Sequence, residues 1–140
     1  MARLSRLLVA FILLGVGLVA LGGCAADNTL NGTSWKLNGW SANSLNATDF
    51  TITASFADGK ISGNSGVNSY GGTYEAGSGL AFGVGPLTST LMAGPAPAMR
   101  AETIYLKLLN DAASFKVTGD KLTLYDAGGN ESLIFTAVAK

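Results

Sequence analysis

Few side chains in this sequence can do chemistry. Its 140 residues contain one cysteine and no histidine. Histidine is the usual general base at neutral pH and the usual metal ligand, so a Ser-His-Asp triad and the common zinc sites are excluded. The S-x-x-K spacing does not occur either. Gly63-Asn64-Ser65-Gly66 misses the final glycine of a nucleophile elbow, because Val67 stands at that position.

The nine acidic residues leave glycoside hydrolysis open, because that reaction needs two carboxylates and no histidine. Asp58, Asp120 and Asp126 fall at predicted turns, where aspartate is favoured for backbone reasons. Glu75 and Glu102 are the best remaining pair, but the chain is short for a glycosidase cleft. We therefore expect a protein that is not an enzyme, with no catalytic residue, no cofactor and no metal site.

Residues 63–72, GNSGVNSYGG, invite a phosphate-binding interpretation. A phosphate cradle needs a helix after it and usually a closing lysine, whereas a strand-like TYEA follows here and no lysine does. The pattern favours a structural turn or bulge. Within it, the Asn68 amide either bonds across the turn or orients a ligand.

The thiol belongs to Cys24, which follows a segment typical of export. Residues 1–6 carry two arginines, residues 7–21 carry no charge, and Gly22-Gly23-Cys24 follows. This is the pattern of a secretory signal peptide, and the apolar run is shorter than the ~20 residues of a transmembrane helix, although residues 7–26 can be stretched to fit. Leu21-Gly22-Gly23-Cys24 resembles the bacterial lipobox, whose cysteine is acylated. The alternative is that Cys24 is a small apolar residue ending an ordinary membrane segment.

The lipobox resemblance divides the chain into a signal peptide (1–23), a tether (24–30) and a folded domain (31–140). Acyl chains on Cys24 would hold the domain to the outside of a membrane, since two or more chains anchor stably. In a bacterium with two membranes, Ala25 favours the outer one, because aspartate at that position often marks retention at the inner one. The mature part has a formal charge of about −2, which argues against nucleic acid or an anionic lipid surface as a partner, since both need a basic stripe.

Alternating residues predict a mainly β domain. Phe50, Ile52, Ala54 and Phe56 alternate with polar residues, and Asp58-Gly59 is a favoured hairpin turn. Further strands are expected around turns at 77–79, 119–120 and 128–130, with Gly71-Gly72 marking a bulge or sharp bend. Trp35 and Trp40 are five residues apart, so we expect them on opposite faces, one in the core and the other a strand-edge plug or a surface anchor.

Residues 97–112 predict one helix. Pro97 suits a first turn, and apolar residues recur at three-and-four spacing. The expected inner face comprises Ala101, Ile104, Tyr105, Leu108 and Ala112. This face most simply packs on the sheet; a partner-binding groove is the alternative.

Three stretches together, at 61–75, 89–109 and 119–135, resemble the META domain of bacterial heat-inducible proteins and lipoproteins. The resemblance covers about residues 30–138. It implies a strongly curved antiparallel sheet or small β-barrel with one helix, and a family linked to stress tolerance, antibiotic resistance, motility and secretion without established enzymatic activity. Many members carry cysteines where this chain has Val67 and Gly94, so a cross-link between those two loops cannot form here.

These observations predict a membrane-anchored, non-catalytic lipoprotein of the bacterial envelope, with an interaction or stress-tolerance role. Its partners would be the membrane, through Cys24, and an envelope protein or small ligand. The alternative is a small-ligand carrier that uses the interior or mouth of the curved sheet, where Ala81, Gly83 and Gly85 would leave space.

Overall fold

The alternating pattern around Asp58-Gly59 folds as expected. In the computed structural model, which describes residues 29–139, strands β2 (Thr53–Ala57) and β3 (Lys60–Asn64) pair antiparallel. Asp58 and Gly59 adopt φ values of 51° and 74°, as a two-residue hairpin turn requires. Ile52, Ala54 and Phe56 are buried and Phe50 is half-buried, so one face of this hairpin supplies core.

The remaining elements follow in chain order around this hairpin. They are β1 (Thr33–Trp40), β4 (Ser69–Ala76), β5 (Phe82–Val84), β6 (Thr88–Ser89), α1 (Ala96–Asp111), β7 (Ala112–Thr118), β8 (Lys121–Asp126) and β9 (Glu131–Ala137). The strands form one antiparallel sheet in the order β5-β4-β3-β2-β1-β9-β8-β7, with β6 paired to β4 beside β5. An isolated bridge between Ala81 and Ser114 brings the two sheet edges together. The predicted curved sheet or small barrel is therefore confirmed as a nearly closed barrel.

The barrel has two distinct ends. At the N-terminal end, Gly32 donates to the Phe56 carbonyl and Asp58 donates to the Asn31 side chain, which places the start of β1 beside the β2–β3 turn. Leu30 is fully buried there, so the folded unit includes a residue assigned to the tether. At the other end, which we call the helix end, lie the β3–β4 loop (65–68) and α1. The hydrogen-bonded barrel and its core lie within residues 29–139.

The helix is confirmed at 96–111, but its inner face is turned from the predicted one. The buried residues are Ala101, Glu102, Tyr105 and Leu109, whereas Ile104 and Leu108 are half-buried. The reason is that Glu102, a charged residue that apolar spacing cannot place in a core, has partners inside the fold. Ala112 ends the helix in an extended conformation and begins β7 directly.

The expectation for the two tryptophans is wrong, and that for Gly71-Gly72 is decided in part. A β-bulge at residues 37–39 of β1 reverses the alternation, so Trp40 pairs with the buried Leu133 and packs on the same core as Trp35. Of the bulge or sharp bend predicted at Gly71-Gly72, the bulge is not found in the pairing with β3, which keeps a continuous register there. Gly72 instead permits close packing, because a Cβ there would lie 2.9 Å from the Leu87 side chain and from the Pro86 carbonyl.

Aromatic rings fill the barrel interior. Phe56 packs edge-on against Tyr74 with ring centroids 4.8 Å apart, and Phe82 contacts Phe56 and Phe115 at 6.3 Å. Near the helix end, the Tyr105 ring of α1 packs against Phe135 of β9. The helix thus closes its end of the barrel by adding a side chain to the core.

Candidate functional site

Cys24, the predicted lipidation site, lies outside the described residues. So do the predicted signal peptide and residues 24–28 of the tether. Between residues 29 and 139, the structure has no helix that is both long enough and apolar enough to cross a membrane.

The one buried carboxylate of the described domain is Glu102, on the inner face of α1. Its Oε2 accepts the Ser65 hydroxyl at 2.6 Å and the Asn68 backbone N–H at 2.8 Å, with the Val67 N–H more distant at 3.4 Å. Its Oε1 accepts the Asn68 side-chain amide at 2.8 Å. The carboxylate therefore fastens the helix to the β3–β4 loop, and both of its oxygens are used in doing so.

Asn68 extends this network to the segment that follows β6. Its Oδ1 accepts the Met92 backbone N–H at 2.7 Å and the Thr90 hydroxyl at 2.9 Å. Its Nδ2 donates to the Met92 carbonyl at 3.2 Å and to Glu102. A primary amide has two N–H donors and two acceptor lone pairs, and all four are occupied. The Asn68 amide was predicted to bond across its turn or to orient a ligand, and it bonds instead to distant segments. The bonds across the turn run from the Ser65 N–H and hydroxyl to the Asn68 backbone carbonyl.

The electrostatics of Glu102 follow from these contacts. Burial removes water from the carboxylate and raises its pKa, but the hydrogen bonds from Ser65 and Asn68 favour the charged form. Together the hydrogen bonds outweigh burial and hold the pKa of Glu102 below its ordinary value. A carboxylate with this environment stays ionised at neutral pH and is a poor general acid.

Two small-residue positions allow the loops to approach. Gly66 has a φ of 126°, which side chains rarely adopt, and a Cβ there would lie 3.2 Å from the Ala98 carbonyl of α1. A Cβ at Gly94 would lie 2.7 Å from Val67 Cγ2 and 3.4 Å from Val67 Cβ. Val67 and Gly94, the two positions where the resemblance implies cysteines in other members, are thus in direct contact.

A second polar pair lies beneath this network. The Tyr70 and Tyr105 hydroxyls are 2.6 Å apart, and the Tyr70 hydroxyl donates to the Thr53 carbonyl at 2.9 Å. Because a carbonyl only accepts, the proton between the two rings comes from Tyr105. Burial raises the pKa of both phenols far above neutrality, so neither serves as a base at physiological pH.

The two acids selected from the sequence are not brought together. Glu75 is exposed on β4, seven residues beyond Asn68 along an extended strand, which places it roughly 20 Å from the Glu102 network. The two carboxyl groups of a glycosidase lie within about 10 Å of each other. Within residues 29–139, no three Cys, Asp or Glu side chains gather as metal ligands would.

Three apolar side chains near the network in sequence are exposed. Leu91 is 94% exposed, Met92 60% and Met99 36%. All three belong to the segment that leads from β6 into the first turn of α1. We call these three residues the apolar tip.

Sequence reasoning missed Ser65, Thr90 and the tyrosine pair as parts of this site. One signal was available: Glu102 lies next to Ala101 in sequence, at the edge of the predicted inner face, where a partly buried acid would need partners. Those partners come from segments more than 30 residues distant, which no local pattern identifies.

The fold and this site define a class: a nearly closed antiparallel barrel whose open end is covered by one helix, pinned there by a buried carboxylate. A family model described as META domain matches residues 28–139. The chain belongs to the META domain family, as the three sequence stretches predicted.

Two solved structures illustrate the relationship. A protein from Burkholderia xenovorans, solved by NMR, is 27% identical with a TM-score of 0.65, over 80% of this chain and 86% of that one. A DUF4847 family protein from Bacteroides vulgatus is 16% identical with a TM-score of 0.59, over 76% and 93% of the two chains, and shares the fold alone. Among proteins of curated function, none matches the sequence significantly.

Proposed function

We propose that this chain is a lipid-anchored META-domain protein of the bacterial envelope that acts through its surface and catalyses no reaction. The observation that carries this proposal is the use made of Glu102: the best candidate acid on the chain spends both oxygens on holding α1 to the barrel. The sequence has no histidine to act with it, and Glu75, the other candidate acid, is exposed on a distant part of β4.

The N-terminal sequence supports the anchor. A basic start, an uncharged run and Leu21-Gly22-Gly23-Cys24 favour acylation of Cys24 after removal of residues 1–23. The domain would then face outward from the cytoplasmic membrane, on the outer membrane in a bacterium that has two. A role in stress tolerance is what membership of the family suggests.

The barrel interior gives less support to the alternative function, a carrier that encloses a small ligand. Phe56, Tyr105 and Phe135 are at most 1% exposed, and all three belong to the buried core. The grooves of about 460 and 480 Å³ lie on the outside of the barrel, over Gly71–Thr73 and beside Thr29–Trp35. Ligands bound at such open grooves are contacted from one side, which fits contact with a partner better than enclosure of a small molecule.

Mass spectrometry of the mature N-terminus tests the anchor. We expect a membrane-fraction protein that starts at Cys24 and carries more than one acyl chain. The Cys24→Ala variant should retain its leader or leave the membrane fraction. Unmodified Cys24 in the wild-type protein, or an intact residue 1 on membrane-bound wild type, would contradict the proposal.

A further inference from the structure

Both methionines of the predicted mature chain lie at the surface. The sequence has three methionines, and Met1 belongs to the predicted signal peptide. The other two are in the apolar tip, where Met92 is 60% exposed and Met99 is 36% exposed. Methionine is among the residues most often buried in proteins. This domain instead places both of its thioether groups within reach of solvent.

Other side chains that react readily with oxidants are withdrawn from solvent. Residues 29–139 contain no cysteine, so the described domain has no thiol. Trp35 is buried in the core. Trp40 is half-buried, and its ring N–H donates to the Leu45 carbonyl at 2.9 Å. An oxidant that reaches the described domain from solvent therefore meets the two thioethers before the indole rings.

The two thioethers do not support the core of the described domain, since neither methionine belongs to its buried cluster. Met92 is held through its backbone, whose N–H and carbonyl bond to the Asn68 side chain at 2.7 and 3.2 Å. The backbone of Met99 is also bonded, its N–H to the Pro95 carbonyl and its carbonyl to the Thr103 hydroxyl. A sulfoxide is polar and disrupts a core in which it forms. At these exposed side chains, oxidation should leave the fold intact.

From these observations we propose that Met92 and Met99 are sites of reversible oxidation by two-electron oxidants, namely hydrogen peroxide and hypochlorite. The sulfur attacks the oxidant oxygen, the O–O or O–Cl bond breaks, and that oxygen becomes the sulfoxide oxygen. The sulfur loses two electrons, and the oxidant leaves as water or chloride. In the reverse step, two thiols of a methionine sulfoxide reductase become a disulfide and the oxygen leaves as water.

Oxidation would change the surface of the apolar tip without changing the barrel. Two of its three side chains would become polar, while Leu91 would stay apolar. The exposed apolar area of the tip would therefore fall on oxidation and return on reduction. Because no part of this chemistry uses Cys24, the inference does not depend on the proposed lipid anchor.

Peptide mass spectrometry after limited oxidation tests the two sites. It uses a chain that starts at Ala25, which keeps the whole barrel and core, treated with increasing hydrogen peroxide or hypochlorite. We expect each methionine to gain one oxygen atom, with Met92 reacting before Met99 because it is more exposed. The same chain in denaturant is the reference. Met92 in the folded chain should react at a rate within about twofold of that reference.

A second measurement tests whether the fold survives and whether the change is reversible. The doubly oxidised chain should keep the far-UV circular dichroism spectrum and the denaturant midpoint of the parent chain. The two epimers of methionine sulfoxide are reduced by different enzymes. Reductases of both stereospecificities, added together to the folded chain, should restore its original mass.

Matched variants assign the reacting sulfurs. Met92→Leu and Met99→Leu should each lower the uptake by one oxygen atom, and the double variant should take up none at the same oxidant concentrations. Leu91→Met adds a thioether at a position that is 94% exposed and should react fastest.

Four results would overturn the proposal. The first is protection of both methionines by more than about tenfold in the folded chain relative to the denatured one. The second is oxidation of Trp35 or Trp40 ahead of them. The others are loss of the folded spectrum on oxidation of the two methionines, and sulfoxides that the reductases leave unrepaired in the folded chain.

Discussion

At the scale of single residues, the central feature is the Glu102 carboxylate, whose hydrogen bonds hold α1 to the β3–β4 loop. Ser65, Val67 and Asn68 direct donors at Glu102, and Asn68 passes the connection on to Met92. Hydrogen bonds to a charged group are stronger than those between neutral groups, and a buried charge left without them is costly. Replacement of Glu102 should therefore affect stability first.

The Glu102→Gln variant should lose about 2–4 kcal/mol in the free energy of unfolding at pH 7. Glutamine replaces one carboxylate oxygen with an N–H₂ group. Both oxygens of Glu102 accept hydrogen bonds from Asn68, so in the variant one N–H donor of Asn68 would face another N–H donor. Chemical denaturation monitored by Trp fluorescence measures the loss. Glu75→Gln, an exposed acid on the same domain, is the control and should change stability little.

The same variant has a predicted dependence on pH. The pKa of Glu102 is lower in the folded protein than in the unfolded chain, so ionised Glu102 stabilises the fold above the unfolded value of about 4.3. That contribution is lost as the pH falls through the lower, folded pKa. The stability difference between wild type and Glu102→Gln should accordingly shrink below about pH 4. A difference that stays constant down to pH 2 would show that the charge has no part in it.

At the scale of elements, the helix end joins the β3–β4 loop to the segment that runs from β6 into α1, which lies more than 20 residues further along the chain. Gly94 is small enough to lie against Val67. A Cβ atom added at position 94 would be 3.4 Å from the Cβ of Val67. Disulfides need Cβ atoms about 3.5–4.5 Å apart. The separation is just under this range, so the two positions are close enough for a disulfide after a small shift.

Val67→Cys/Gly94→Cys, made in the chain that starts at Ala25, should form a disulfide under oxidising conditions. Closing a loop of about 28 residues should raise the free energy of unfolding by about 3–4 kcal/mol in the chain-entropy model. A thiol count and denaturation with and without reductant measure both effects. The single Val67→Cys variant controls for lost packing, and two free thiols in the oxidised double variant would contradict the prediction.

At the scale of the whole molecule, one core connects barrel and helix. Buried side chains from every strand except β6, and from α1, form a single cluster, to which Tyr105 and Leu109 contribute from the helix. Small domains with one core usually unfold in one cooperative step. The helix is thus part of the barrel's stability and has no independent fold.

We expect helix and barrel to unfold together. Ellipticity at 222 nm, which follows α1, and the fluorescence of Trp35 and Trp40, which report on β1, should give coincident denaturation curves. Glu102→Gln should shift both curves by the same amount. A helix signal lost at lower denaturant than the Trp signal would mean that α1 detaches from an intact barrel.

Much of this fold was predictable because its signals are local. The Asp58-Gly59 turn, the alternation of Ile52, Ala54 and Phe56, and Pro97 at the start of α1 each depend on neighbours in sequence, and each was placed correctly. The bulge in β1 was missed because it depends on pairing with β9, almost a hundred residues away. The partners of Glu102 were missed for the same reason, because they too are distant from it in sequence.

Composition alone rules out histidine-dependent chemistry, because the sequence contains no histidine. Local propensity and periodicity predicted the element types, because both act over a few residues. Tertiary structure alone decided what the remaining polar groups do. Glu102 and Asn68 became a structural clasp, and Leu91 became an exposed tip, because closing the barrel brings together segments that share no sequence pattern. Hydrogen bonding and burial depend on position in space, which spacing along the chain does not specify.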